Sequence, residues 1–248
     1  MKLRSCLLAG IILVLPTVQA ATLVEITDTE GLTRIFRDGS KSRLEMSGES
    51  GYMVIDSAAQ TVHAVVPEER MVMDMSDSLK NAPDAGPASS VKIKLNKQGS
   101  GPRISGYKTT RYSYSADGKD CGTLFTSQQA LADTGINDMF AMMERLSAQA
   151  DAMMSAFGQQ DADPCERTGP GLTDMLKKIG APLRILDSNG KTVSEVITID
   201  KDAALPANAF AIPADYKVHN TDQMMRDTLQ QMQKMPDMQE LMKQMQQQ

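Results

Sequence analysis

The residue types that usually carry catalysis are few and far apart in this sequence. Its two histidines, His63 and His219, have no metal-ligand spacing to each other or to a cysteine. The glycine-flanked serine of run 48–51 lies between predicted strands, whereas a nucleophile elbow precedes a helix. Pro102 in run 99–102 lacks the backbone N–H that a phosphate loop needs. The sequence therefore predicts a protein that is not an enzyme and that uses no cofactor.

Methionine is the distinctive side chain, with 19 copies in a chain that has no tryptophan and only ten Phe and Tyr residues together. Flexible thioethers fill irregular gaps in a core, and they also let a pocket repack around apolar molecules. Met71, Met73 and Met75 alternate on one face of a predicted strand, so they fit either a plain core or the wall of an apolar site.

The second interpretation predicts a ligand site between that strand and one stripe of a predicted helix over 137–157. Residues at three- and four-residue steps lie on the same side of such a helix. The predicted lining consists of Met71, Met73, Met75, Met139, Phe140, Met143, Leu146, Met153 and Phe157. Its ligand would be lipid-like or a hydrophobic protein segment.

The methionine- and glutamine-rich tail, residues 221–248, supports two alternatives. Met232, Met235 and Met238 are spaced so that their thioethers would bind Cu(I), although helical periodicity alone produces the same spacing. The tail would otherwise dock as an amphipathic helix on a protein of the cell envelope. Asn220 is the predicted cap of this helix, with Gln223 as its reciprocal partner.

Residues 1–20 have the pattern of a cleaved export signal: a basic start, a short apolar run and small residues at the end. Removing them leaves 24 basic and 31 acidic residues, a balance that argues against nucleic acid as a partner. It also leaves two cysteines, Cys121 and Cys165, which we expect to form one disulfide in an oxidising compartment. We therefore predict a periplasmic protein that is not integral to the membrane.

Short runs of alternating polarity, separated by turn residues, predict a mainly antiparallel sheet. The predicted strands are 22–27, 32–37, 42–46, 52–55, 61–66, 71–75, 91–97, 108–115, 119–125, 183–186 and 193–199. The polar stretch 76–90 is predicted to be a loop, and a short helix is predicted over 172–179. Residues 21–220 would form a single domain, with a helical insertion over 127–165 held at its base by the disulfide.

Several runs resemble those of periplasmic proteins related to the lipoprotein carrier LolA and its receptor LolB. They are the consecutive strands 51–56, 61–65 and 70–75, and the closing run 205–218, in which a Phe and a Pro precede a Tyr. The chain is most similar to an exported branch of that superfamily whose domain has no known function. The resemblance implies an α+β fold, a strongly curved antiparallel half-barrel with helices on its concave side and an apolar cavity between them.

These observations together predict a non-catalytic periplasmic protein that binds an apolar ligand. Docking through the tail on an envelope protein and copper binding remain the alternatives. The composition and the motifs do not identify the ligand or the oligomeric state.

Overall fold

One large sheet runs through the computed structural model, which describes residues 20–81, 91–156, 163–165 and 169–234. Its strands are β1 (Ala20–Asp28), β2 (Leu32–Asp38), β3 (Lys41–Met46), β4 (Tyr52–Asp56), β5 (Thr61–Val66), β6 (Met71–Asp74), β7 (Ile93–Ser100), β8 (Thr110–Ala116), β9 (Lys119–Ser127), β10 (Ala181–Leu186), β11 (Thr192–Ala204) and β12 (Lys217–Asn220). The helices are α1 (Ser76–Asn81), α2 (Gln128–Thr134), α3 (Asn137–Ala156), α4 (Gly169–Ile179) and α5 (Thr221–Lys234).

Within the described residues the strand order is β12-β6-β5-β4-β3-β2-β1-β11-β10-β9-β8-β7. Every neighbouring pair is antiparallel except β12 and β6, which run parallel. The sheet is not closed, because β12 and β7 remain as its two edges. The prediction of a mainly antiparallel sheet with few helices is confirmed.

The main core lies between one face of this sheet, called the inner face below, and the helices α1, α2 and α3. Val24, Ile35, Ile55 and Val62 of the inner face are almost completely buried. They pack with Leu79, Ala130, Met139 and Met142 of the helices and with Ile136 of the turn between α2 and α3. Burying aliphatic side chains of this size stabilises a fold by roughly 1.5–3 kcal/mol each, so this layer holds the helices on the sheet.

The opposite, outer face of the sheet is also covered near β4 to β6. Val65 and Val72 on this face are 1% and 0% exposed. The chain between β11 and β12 lies against it, where Arg43 Nη1 donates a hydrogen bond to the carbonyl oxygen of Ala209 at 3.1 Å. The outer face of these strands is therefore shielded from water around Val65 and Val72.

Helix α1 corrects one prediction, because residues 76–81 were expected to belong to a loop. The Asp74 carboxylate caps this helix by accepting a hydrogen bond from the backbone N–H of Ser76 at 2.9 Å. Leu79, which is the apolar residue of an otherwise polar segment, is completely buried in the main core. Tertiary burial of this single side chain supports a helix that its own sequence does not signal.

The other helices agree closely with the sequence pattern. The helix predicted over 137–157 is α3, and the one predicted over 172–179 is α4, which begins three residues earlier. Asn220 caps α5 as expected, since its Oδ1 accepts from the N–H of Gln223 at 2.9 Å. The Gln223 amide, however, donates to Asp227 rather than back to the cap.

Candidate functional site

The inner face carries an apolar row that crosses β1 to β6 at one level of the register. Across these strands the directly opposed residues are Val24, Ile35, Leu44, Met53, Ala64 and Met73. The first two are buried in the core, and the last four are only half-buried. The row thus leads from a filled core to a partly exposed apolar surface.

We call this half-buried region the methionine surface. It consists of Leu44, Met46, Met53, Val66, Met71 and Met73 on the inner face of β3 to β6. Leu44 and Met53 pack against the main core, and Met46 is 42% exposed. The surface is therefore continuous with the core but open to solvent at its margin.

Five of the predicted lining residues come together in the core. Met75, Met139, Phe140, Met143 and Leu146 pack in the same cluster. Met139 is only 1% exposed, so its side chain serves as ordinary packing between α3 and the sheet. These contacts match the core interpretation of the methionines, whereas a role in ligand binding stays a prediction.

Met71 and Met73 lie on the same inner face but outside that cluster, as half-buried members of the methionine surface. Met153 is part of α3, and its side chain is not among those described; Phe157 lies outside the described residues. Sequence reasoning missed Met142, which is 3% exposed in the core one residue before Met143. A three-residue step from Met139 was the available signal for it.

Two of the three predicted copper ligands, Met235 and Met238, lie outside the described residues. Met232 belongs to α5, and its side chain is not described. In the part of the chain that the structure covers, no three His, Cys, Asp or Glu residues are grouped so that they could hold a metal ion. Copper binding by the three methionines therefore stays a prediction.

A second feature of the inner face is an open cleft of about 500 Å³ at the end of the strands nearest α3. Its walls come from the β2–β3 turn, the β4–β5 turn and the first half of α3. The lining residues are Arg37, Gly39, Ser40, Ser57, Ala58, Gln60, Asp138, Ala141, Met142 and Arg145. Sequence reasoning did not single out this cleft.

Arg37 reaches the cleft from β2, where it belongs to the inner face because it lies two residues after Ile35. Its side chain is 12% exposed, and its nearest charge is the Asp138 carboxylate, with 3.9 Å between Nη2 and Oδ2. Burial lowers the pKa of the Arg37 guanidinium, and Asp138 opposes that shift. The guanidinium stays protonated at neutral pH, because arginine in proteins does not lose its proton there.

Cys121 and Cys165 form the expected disulfide and join the end of the helical insertion to β9. Cys121 is buried beside Val91 and Ala116, and Cys165 packs against the same small cluster. An ion pair between Lys119 and Asp163 lies next to this link, with 2.5 Å between Nζ and Oδ2. The prediction of this disulfide is confirmed.

Within the described residues, no helix is both long enough and apolar enough to cross a membrane. The expected signal, residues 1–20, lies almost entirely outside those residues, so export stays a prediction.

Solved structures with detectable similarity include MucB, at 13% identity and a TM-score of 0.36, with 81% of this chain and 60% of that chain covered. The complex of MucA and MucB from Pseudomonas aeruginosa matches at 11% identity and a TM-score of 0.36, covering 82% and 59%. MucB in complex with MucA(peri) matches at 12% identity and a TM-score of 0.33, with 82% of this chain and 58% of that chain covered. The chain thus spans about 60% of the length of these proteins.

No curated protein matches this chain. The resemblance to LolA and LolB stays a prediction, since these weak structural similarities do not test it. A family model described as a domain of unknown function (DUF4412) matches residues 24–216, which extend from β1 to the residue before β12. The match includes every residue of the methionine surface and of the cleft, and the chain belongs to the DUF4412 family.

Proposed function

We propose that this protein is a non-catalytic binding protein whose methionine surface takes an apolar, lipid-like chain. The observation that carries the proposal is the inner-face row, which passes from buried Val24 and Ile35 to half-buried Met53 and Met73 without a polar interruption. A ligand chain lying along this row would extend the core outward and remove its thioethers from water.

Two physical features support this function. Methionine side chains adapt their shape at low energetic cost, so one surface can fit chains that differ in length or branching. Twisted sheets rarely exceed about ten strands without curling, and the described part of the chain already contributes twelve to this one. We therefore propose that the sheet curves around its inner face, as the resemblance to LolA-like half-barrels implies.

We also propose that the protein acts in the periplasm. The leader-like residues 1–20 and the disulfide between Cys121 and Cys165 both suit an exported chain, because disulfides persist in oxidising compartments.

Binding of saturated fatty acids of increasing length to detergent-free protein tests the proposal. Each methylene that is buried contributes about 0.8 kcal/mol, so the dissociation constant should fall by up to about fourfold per added carbon until the surface is covered. Native mass spectrometry of the same preparation should detect a co-purified lipid. An affinity that does not depend on chain length, together with no co-purified lipid, contradicts the proposal.

A matched pair of variants separates the surface from the fold. In M53Q/M73Q, polar amides of nearly the same length replace two half-buried thioethers, and binding should weaken strongly. The control, M53L/M73L, keeps the surface apolar and should bind like the parent protein. Urea unfolding of both variants checks that the fold is retained. Equal binding by the two variants would exclude this surface as the site.

A second candidate function, docking on an envelope protein, is favoured by one observation at the edge of the sheet. Val218 on edge strand β12 is 58% exposed, and Met224 at the start of α5 is 45% exposed. Unpaired strand edges and exposed apolar side chains are common at protein interfaces. In-cell cross-linking should then capture the same partner with the parent chain and lose it with V218K/M224K, while fatty acid binding is unchanged.

A further inference from the structure

The Arg37 side chain is a mostly buried cation that makes no hydrogen bond to the residues described by the structure. Nη1 is buried, and among the residues that the structure describes no acceptor lies within hydrogen-bonding distance of it. The Asp138 carboxylate forms only a long ion pair with Arg37, with 3.9 Å between Oδ2 and Nη2. The Asp138 side chain is 70% exposed, so water strongly screens this attraction. Buried polar groups almost always have a partner, which makes an unsatisfied guanidinium a sign of something that binds to it.

The surrounding structure holds this guanidinium in place. A Cβ atom at Gly135, between α2 and α3, would approach Arg37 Nε to 3.2 Å, so the side chain is packed beneath that junction. The adjacent inner-face position on β3 is Ser42, whose buried Oγ also has no hydrogen-bond partner among the described residues. The polar surroundings of Arg37 are therefore preformed but incomplete.

A second cation faces the same cleft from α3. Arg145 Nη1 donates to Gln60 Oε1 at 3.2 Å, and Nη2 donates to the carbonyl oxygen of Leu79 at 2.8 Å. These two bonds orient the Arg145 guanidinium on the wall opposite the sheet. Arg37, Arg145 and Asp138 are the charged residues that line the cleft, so the lining has a net positive charge in a protein of net charge −5.

The cleft is larger than a bare ion requires. Its volume of about 500 Å³ is in the range of small-molecule sites. Ala58, Ala141 and Met142 add apolar wall beside the two arginines. We propose that Arg37 and Arg145 bind the oxyanion, carboxylate or phosphate, of a small organic molecule whose apolar part lies against these three side chains.

This site goes beyond the proposed function and does not depend on it. Arg37 lies at the end of β2 nearest α3. The methionine surface lies further along the strands from that end, at the following rows of cross-strand pairs. A failure of fatty acid binding would leave this inference intact.

Calorimetric titration of the full chain with phenyl phosphate and with benzoate tests the inference. R37M keeps an unbranched apolar stem but removes the charge and the donors, and it should weaken binding by about 10- to 100-fold, the range for lost hydrogen bonds to a charged group. The control is R34M on the same strand, because Arg34 pairs with Glu25 away from the cleft, and it should bind like the parent protein.

Two further measurements complete the test. D138N removes the competing carboxylate and should tighten binding several-fold, a gain that misfolding does not produce. Vesicles of phosphatidylcholine with and without phosphatidylglycerol distinguish the source of the oxyanion. Sedimentation with the anionic vesicles that depends on Arg37 assigns a lipid head group, and soluble binding without sedimentation assigns a free acid. If neither the soluble probes nor the vesicles respond to R37M, the inference is wrong.

Discussion

Gly122 in strand β9 is a position where one added methyl group should damage the fold severely. Its φ of +122° is a backbone conformation that alanine rarely adopts. A Cβ atom there would lie 2.0 Å from the carbonyl oxygen of Leu186 and 2.7 Å from the carbonyl carbon of Asp187, at the end of the neighbouring strand β10. Gly118, in the turn of the β8–β9 hairpin, has φ of +85° but nothing within 4 Å of its Cβ position.

These two glycines separate backbone strain from steric overlap. Alanine in a left-handed conformation costs about 1–2 kcal/mol, and both variants carry this cost. In G122A, β9 must also move away from β10 where Thr123 pairs with Leu186. Losing one or two buried hydrogen bonds adds about 1–3 kcal/mol. We therefore expect G118A to lose about 1–2 kcal/mol and G122A about 2–5 kcal/mol of unfolding free energy.

Urea unfolding followed by far-ultraviolet circular dichroism measures the difference, since the chain has no tryptophan to report by fluorescence. A loss of about 2–5 kcal/mol is a large part of the stability of a typical domain, about 5–15 kcal/mol, so G122A should shift the midpoint clearly. The reasoning is refuted if G122A and G118A unfold within about 1 kcal/mol of each other.

Three further predictions concern the disulfide, a turn and the last helix. Replacing both bridged cysteines by alanine should lower the unfolding free energy by about 4 kcal/mol in the chain-entropy account, because the bridge spans 44 residues. Urea unfolding with and without reductant measures this loss. The N–H of Ala59 donates a hydrogen bond to the Asp56 carboxylate and holds the pKa of that carboxyl below its ordinary value. The ionised carboxylate therefore stabilises the fold above about pH 4, and this stabilisation is lost as the pH falls through the lowered pKa. The parent protein should therefore lose more stability on acidification than D56N, and equal losses in unfolding series at several pH values would contradict this. Asp222 of α5 is buried and accepts a hydrogen bond from the Ser78 hydroxyl of α1, so D222A should cost about 1–3 kcal/mol and speed proteolysis within α5. The exposed control, D227A, should change neither measurement.

The two binding proposals make different demands on the protein. The methionine surface needs adaptable side chains at the margin of the core, where Met53 and Met73 are half-buried. The arginine cleft needs fixed donors, and Arg145 is held by two hydrogen bonds. A ligand of the first site would be recognised mainly by the apolar area that it buries, whereas a ligand of the second would be recognised by charge and hydrogen-bond geometry.

The amino-acid sequence by itself determined most elements of the sheet. Strand β5 has the predicted bounds 61–66, and β2, β3 and β4 each differ from the prediction by one residue at one end. The agreement is close because side-chain alternation and turn residues are local signals. The disulfide also followed from the two cysteines that remain once residues 1–20 are removed. In each case, the information lies within a few neighbouring residues or in the composition.

Only the tertiary structure decided how distant segments meet. The parallel pairing of β12 with β6 joins residues far apart in the chain, and the helix at Ser76–Asn81 depends on the burial of Leu79. Arg37 lies two residues after Ile35, so strand alternation directs it to the inner face, but only the folded chain shows that its buried Nη1 has no hydrogen-bond partner among the described residues. Alternation within a strand reports which way a side chain points. What covers that side chain, and whether it finds a partner, depends on non-local contacts that form only in the folded chain.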